Sequence, residues 1–319
     1  MDEAMAVDVP RIVPHRLPMA TKHRTPLREG FVLEGYRIAE VLGGGGFSLV
    51  YLATEERSDS QFVIKEYCPK GLVIRGSDGG TIEPISEKAR LGFVQGMKQF
   101  FGEASALAKL KHPNIVNVSN IFRANGTVYM VMAYELGRDL RWFIKQCHGQ
   151  LDQPFMLKVF PAIASGLSAL HEHSFLHLDV KPANILLRAS GAPLLLDFGA
   201  AQTTSSGERF SSFQTLTHGF APPEQYNEGE MGPWSDIYAL GATMYACVTG
   251  RSPPPALKRQ TNDTLEPLTS LYADQYSYPM LRAIEWALRL NHRERPTSVR
   301  VFTDLAFSEA PEGLELDNS

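Results

Sequence analysis

Apolar and polar positions alternate along Tyr36–Leu42, the period of a half-buried strand, and Leu49-Val50-Tyr51-Leu52 is a second, apolar run. Gly43-Gly44-Gly45-Gly46 separates these two runs, and Gln61-Phe62-Val63-Ile64-Lys65 reads as a third strand ending in a lysine. Leu72–Arg75 and Thr81–Glu83 flank Gly76-Ser77-Asp78-Gly79-Gly80 and predict a hairpin. Ser86–Phe101 reads as a helix that continues past Glu103 through Leu107 and Leu110, its apolar residues recurring at helical spacing. His112–Val116 is a turn into a strand, and Thr127–Ala133 is a further strand behind an Asn125-Gly126 hairpin turn. Beyond Gly137 the pattern becomes helical. Leu140–Gln146 predicts one helix, and Pro154–His173 a longer amphipathic one through Phe160, Ile163, Leu167 and Leu170.

The chemistry concentrates in His177-Leu178-Asp179-Val180-Lys181-Pro182-Ala183-Asn184, followed by an apolar run and then by Leu194-Leu195-Leu196-Asp197-Phe198-Gly199. Phosphoryl transfer asks for one carboxylate that orients and deprotonates a hydroxyl, and for a carboxylate and an amide oxygen that hold magnesium. It also asks for an ammonium that offsets charge on the transferred group. Asp179, Asp197, Asn184 and Lys181 supply these in turn. A polar turn between two apolar strands explains one aspartate but not the set. The two stretches resemble the catalytic loop and magnesium loop of protein kinases.

The resemblance extends over roughly Phe31 to Phe307 and is nearest to the eukaryotic-like serine/threonine kinases of bacteria. Leu42, Gly43, Gly44, Gly45, Gly46, Phe47 and Ser48 resemble the nucleotide loop, with Ser48 where the family's third glycine falls. Val50 and Val63 face the adenine in that resemblance, Lys65 takes the α- and β-phosphates, and Glu103 is the anion that holds Lys65. Met132, Ala133, Tyr134 and Glu135 match the hinge, and Leu186 completes the adenine pocket. The stretch between Lys65 and Glu103 is longer than the family implies. It predicts an ordered insertion at about residues 68–99, read either as a regulatory, partner-docking surface or as an extension that only packs on the sheet.

Further along, Ala221-Pro222-Pro223-Glu224 resembles the motif closing the activation segment, and Thr217 the threonine kept beside the catalytic Asp and Lys in kinases acting on Ser or Thr. Asp236 resembles the anchor of the catalytic loop and Arg295 the partner of Glu224. His177, Phe198 and Gly199 are expected to be structural. Thr203, Thr204, Ser205, Ser206, Ser211, Ser212 and Thr215 are candidate phosphosites. The residue before Asp179 is Leu178 rather than the arginine found in many members, so a phosphate on this segment lacks its usual bidentate partner. Loop phosphorylation is therefore not expected to be an obligatory switch.

Composition narrows the remaining classes. The 319 residues are 44% hydrophobic and 21% charged, as in ordinary soluble proteins, and the length accommodates two lobes. A net charge of −4 leaves no basic excess to neutralise nucleic-acid phosphates. No apolar run approaches a membrane span, and no signal-peptide order opens the chain. Cys68, Cys147 and Cys247 are scattered without paired spacing, which fits a reduced, cytoplasmic setting. Residues 1–30, rich in proline and basic side chains, are expected to be a flexible leader, with a docking arm across the domain as the sharper alternative. The resemblance implies an α+β, bilobal fold: a small antiparallel-sheet lobe over residues 31–135 with one main helix, a mostly helical lobe over 136–308, and a loose acidic tail over 309–319. It implies ATP with Mg2+, or Mn2+ in its place, bound between the lobes, and γ-phosphoryl transfer to Ser or Thr hydroxyls of proteins, this chain included. A pseudokinase-like scaffold and a small-molecule phosphotransferase are the rivals. Lys65, Asp179 and Asp197 argue against the first, and Thr217 with Ala221–Glu224 against the second.

Overall fold

The computed structural model describes residues 24–147, 149–197, 202–203, 216–227 and 229–308. Phe198, Gly199, the leader up to residue 23, the acidic tail and the candidate phosphosites other than Thr203 lie outside the described residues. The chain divides into two compact units. One takes the residues up to Arg138 together with Arg188–Gly191, and the other takes Asp139–Leu187 and most of the chain from Ala192 onward.

The first unit is a six-stranded antiparallel sheet in the order β1-β2-β3-β4-β8-β7. Its strands are β1 (Val32–Leu33), β2 (Tyr36–Gly44), β3 (Ser48–Glu55), β4 (Gln61–Tyr67), β7 (Val118–Ala124) and β8 (Thr127–Ala133). The short hairpin β5 (Val73–Arg75) and β6 (Ile82–Pro84) stands apart from that sheet and leads into α1 (Glu87–Leu107). Ser86 caps α1 by accepting from the Ala89 N–H at 3.1 Å. The helix buries Ala89, Phe93, Phe100, Ala104 and Leu107 on one face. Tyr67, at the end of β4, seats this face: its ring lies 5.6 Å from those of both Phe93 and Phe100. Gly96 permits the approach, because a Cβ there would stand 2.0 Å from the Tyr67 hydroxyl oxygen.

The leader does not stay loose to residue 30. Leu27 is 1% exposed, and its N–H donates to the Tyr51 hydroxyl at 3.2 Å, while the Gly30 N–H donates to Ile38 O. One apolar residue among prolines and arginines has no periodicity, so the sequence pattern missed this contact.

The second unit is mostly helical. It begins at Asp139, the last residue of β9 (Gly137–Asp139), and runs on into α2 (Leu140–Gln146) and α3 (Gln153–Glu172), whose caps Asp139 and Asp152 accept from the Trp142 and Phe155 N–H groups. After β10 (Phe175–Leu176) come the catalytic-loop stretch and the hairpin β11 (Ile185–Arg188)–β12 (Pro193–Leu195), with β13 (Gln202–Thr203) pairing back onto β10. Then follow α4 (Pro223–Tyr226), α5 (Pro233–Thr249), α6 (Ala256–Thr261), α7 (Leu268–Leu271), α8 (Tyr278–Ala287) and α9 (Val299–Ala306). Helix α5 is buried continuously from Ser235 to Val248. A helix largely apolar all round belongs in a core, and its buried charged residue, Asp236 at 0% exposure, needs partners.

Candidate active site

In the second unit, Asp236 has three such partners. Its Oδ2 accepts from the His177 N–H at 2.8 Å and from His171 Nε2 at 2.8 Å, and its Oδ1 accepts from the Leu178 N–H at 2.7 Å. Burial opposes ionisation, but the hydrogen bonds from His171 and the His177 N–H outweigh it and hold the carboxyl below the ordinary range. Leu178 is held with φ at +60°, a conformation that costs a leucine about 1–2 kcal/mol. Its carbonyl accepts from Gln225 Nε2 at 2.9 Å. Both backbone groups of Leu178 are therefore tied down one residue before Asp179. The Leu178 side chain is only 6% exposed.

Asp179 lies at the centre of a polar cluster. Lys181 Nζ donates to both of its carboxylate oxygens, at 2.9 and 2.7 Å, and to Thr217 Oγ1 at 2.9 Å. The Thr217 hydroxyl donates to Asp179 Oδ1 at 3.0 Å. Asn184 Nδ2 donates to the Asp179 carbonyl at 2.8 Å and to Oδ2 at 2.9 Å. His177 is fully buried and uses both ring nitrogens, Nδ1 accepting from the Asp179 N–H and Nε2 bonding Leu196 O at 3.0 Å. Burial pushes its pKa down, so a neutral ring that braces the loop fits better than a base.

Since Asn184 spends its amide nitrogen on Asp179, its amide oxygen remains for another partner. Asp197 is adjacent: the Leu196 N–H donates to Asn184 O at 2.8 Å, and Asp197 follows with φ at +56°. An amide oxygen and a carboxylate are hard donors of the kind magnesium takes when phosphates complete its shell. Among the described residues no cluster of three or more His, Cys, Asp or Glu makes a metal cage by itself. Glu224 and Arg295 form a buried bidentate pair at 2.7 and 3.0 Å, and Arg295 also lies over the Tyr238 ring.

In the first unit, β3 and β4 place Val50 opposite Lys65, and β4 and β8 place Val63 opposite Met132. Gly44 sits at the throat of the glycine-rich turn, where a Cβ would meet Ser48 O at 2.7 Å, whereas the Cβ position of Gly45 is open. That opening fits a phosphate approaching bare backbone. Lys65 is 4% exposed. Burial pushes the Glu103 carboxyl up to about 8, against the opposing charge of Lys65. Leu42, Ala133, Tyr134 and Glu135 are partly exposed, and Leu186 is buried in β11.

Three features had no signal in the sequence reading. Glu66, next to Lys65, is 0% exposed; Arg75 of the β5–β6 hairpin donates to both of its carboxylate oxygens, and the hydroxyls of Tyr51 and Tyr129 donate to it at 2.7 Å each. Arg188 forms a bidentate pair with Glu135 at 2.9 and 3.0 Å and donates to Pro113 O. The third is the Gln225–Leu178 bond. Only Arg75, a charge inside an apolar hairpin, could have prompted a search for a buried partner.

The protein kinase domain model matches residues 36–306. Serine/threonine-protein kinase Nek3 of Mus musculus is 30% identical over 83% of this chain and 48% of its own. Serine/threonine-protein kinase PknK of Mycobacterium tuberculosis is 29% identical over 89% of this chain and 24% of its own, and PrkC of Bacillus subtilis is 31% identical over 68% and 31%. The chain thus spans less than half the length of these curated relatives. The solved PpkA-294 apo form superposes with a TM-score of 0.75 at 32% identity, covering 88% of this chain and 99% of that one. The motifs, the antiparallel small unit with its single long helix and the helical larger unit agree with these matches: the chain belongs to the protein kinase domain family.

Proposed function

We propose that this chain is a serine/threonine protein kinase that transfers the γ-phosphoryl group of Mg·ATP to Ser or Thr hydroxyls of proteins, itself included. The observation that carries the reading is the Asp179–Lys181–Thr217–Asn184 cluster, in which one carboxylate is fixed by an ammonium, a hydroxyl and an amide. The substrate oxygen attacks the γ-phosphorus as its proton passes to Asp179, and ADP leaves with the electrons of the broken P–O bond. Lys181 offsets charge on the transferred group, and Thr217 keeps the Asp179–Lys181 pair aligned. Asn184 and Asp197 are the residues that would hold Mg2+, or Mn2+, which when bound offsets phosphate charge. Lys65, steadied by Glu103, takes the α- and β-phosphates, the glycine-rich turn covers them, and Leu42, Val50, Val63 and Met132–Glu135 contact the adenine. Positioning and charge stabilisation supply most of the rate, because a loose transition state asks little covalent chemistry of the protein.

Ile74, Ile85 and Leu91 are exposed on the insertion and the start of α1, which supports a regulatory-partner surface there. Among the described residues no helix is long and apolar enough to cross a membrane, and the unpaired cysteines favour a cytoplasmic setting. Incubation with labelled ATP, Mg2+ and a generic basic protein, followed by phosphosite mapping, tests the reading. Asp179→Asn should keep nucleotide binding and lower transfer by about 10²- to 10⁴-fold. Wild-type transfer by that variant would refute the assignment of the base.

A further inference from the structure

The glycine-rich turn is held on its carbonyl side by segments outside its own hairpin. Gly46 O accepts from the Lys70 N–H and Phe47 O from the Cys68 N–H, each at 2.7 Å. The other two carbonyls are taken by a side chain: Arg24 donates Nη1 to Gly45 O and Nη2 to Ser48 O. Ser48 O also accepts from the Gly45 N–H at 3.0 Å, so the four successive carbonyls from Gly45 to Ser48 are all bonded.

Arg24 is itself held in place. Arg75 Nε donates to Thr25 O at 2.6 Å, and that same guanidinium is sealed against Glu66. Leu27 anchors the segment three residues on, buried and bonded to Tyr51. Arg24 also lies close enough to Cys68 to lower the thiol's pKa against the burial that raises it. One chain of contacts thus runs from Glu66, beside Lys65, through Arg75 and Thr25 to Arg24 and the turn.

We infer that Arg24 is a positioning residue of the nucleotide site: a strap of residues 24–27 grips the glycine-rich turn by its carbonyls and holds it in the shape that receives the phosphates of the nucleotide. The inference rests on the ATP reading above. A turn already ordered in the free protein does not lose its freedom when phosphate binds, so nucleotide binds more tightly. The guanidinium adds positive charge beside the triphosphate, with a planar fork that spans two carbonyls where an ammonium reaches one.

The test uses the full chain with Arg24→Met, Arg24→Lys, a deletion of residues 1–26, and Arg28→Met as control, since Arg28 is exposed on the same segment. Dissociation constants for a fluorescent ATP analogue with Mg2+, KM for ATP, KM for a generic basic protein, thermal midpoints and amide hydrogen exchange of residues 44–48 are measured. Arg24→Met and the deletion should raise the nucleotide constant and the KM for ATP by about tenfold, the loss expected of one charge-assisted pair. The protein-substrate KM and the thermal midpoint of Arg24→Met should stay at the wild-type value. Arg24→Lys should recover part of the loss, Arg28→Met should match wild type, and exchange at residues 44–48 should speed up in Arg24→Met without nucleotide. Wild-type nucleotide affinity and loop exchange in Arg24→Met would overturn the inference and leave the ATP reading standing. A wild-type protein that binds no Mg·ATP would overturn both.

Discussion

Replacing Asp236 by asparagine tests how much of the active site depends on one buried carboxylate. In the wild type, Oδ2 serves the His177 N–H and His171, and Oδ1 serves the Leu178 N–H. An asparagine has one oxygen and one NH2, so one side must face donor against donor. The cheaper orientation keeps the oxygen toward His177 and His171 and leaves the Leu178 N–H orphaned. A buried unsatisfied donor costs about 1–3 kcal/mol, and the loss of charge from the two remaining bonds adds about 1–2 kcal/mol. The expected destabilisation is about 2–5 kcal/mol, a large share of the 5–15 kcal/mol typical of a domain. Activity should fall beyond the loss of folded protein. Leu178 at φ +60° would be released from a strain of about 1–2 kcal/mol, and the displaced Asp179 should lower kcat by about 5- to 30-fold. Denaturant unfolding with both two-state parameters fitted, and kcat measured where the variant is still folded, give the two numbers. A variant within about 1 kcal/mol of wild type with unchanged kcat would refute the reasoning. The pH dependence should agree in sign. Asp236 is held below its ordinary pKa and contributes stability above its unfolded value that is lost as pH falls. The buried neutral His177, also depressed, adds a loss as pH drops below about 6.5.

Three further outcomes follow from the same contacts. Gly96→Ala should lower stability by about 1–3 kcal/mol and weaken nucleotide binding, because its Cβ meets the Tyr67 hydroxyl and lifts α1 with Glu103 off β4; Tyr67→Phe in the same chain should recover part of the loss, and calorimetry of both variants checks it. The Glu103 carboxyl, pushed up to about 8, loses its proton as pH rises through that value, so kcat/KM for ATP should climb through about pH 8 and flatten in Glu103→Gln, while the stability from its bound proton, present below the usual carboxylate range, is lost over the same rise. A chain with alanine at Thr203, Thr204, Ser205, Ser206, Ser211, Ser212 and Thr215 should still phosphorylate a peptide, since the buried Leu178 offers no cation to a loop phosphate; a chain inactive until one of those residues carries phosphate would overturn that expectation.

Much of this site could be read from the sequence because its groups are close along the chain or sit on strongly periodic elements. Asp179, Lys181 and Asn184 share one turn, and Asn184 and Asp197 are joined by a hairpin, so spacing alone brings them together. The helix through Glu103 and the strand through Lys65 announced themselves by period. The groups that were missed act across long separations and lack any pattern. Arg24 and Thr25 contact residues 21 to 50 positions away, and Glu66 sits at a strand position whose alternation says buried but whose charge says exposed. Gln225 follows Glu224 with nothing to mark it, because its partner is a backbone carbonyl and backbone carbonyls have no signature in a sequence.

The Glu66–Arg75 pair also decides whether the β5–β6 hairpin can be removed by itself. A surface hairpin can be gained or lost freely, since a longer loop costs little entropy. This one cannot be excised alone. Without Arg75, the carboxylate of Glu66 would stand unneutralised at 0% exposure, bonded only by two tyrosine hydroxyls, and breaking such a pair costs about 3–5 kcal/mol. A lineage shedding residues 73–84 would have to change Glu66 to an uncharged residue in the same step or pass through a barely folded intermediate. The hairpin and Glu66 stand or fall together, and a chimera carrying only one of them should express poorly.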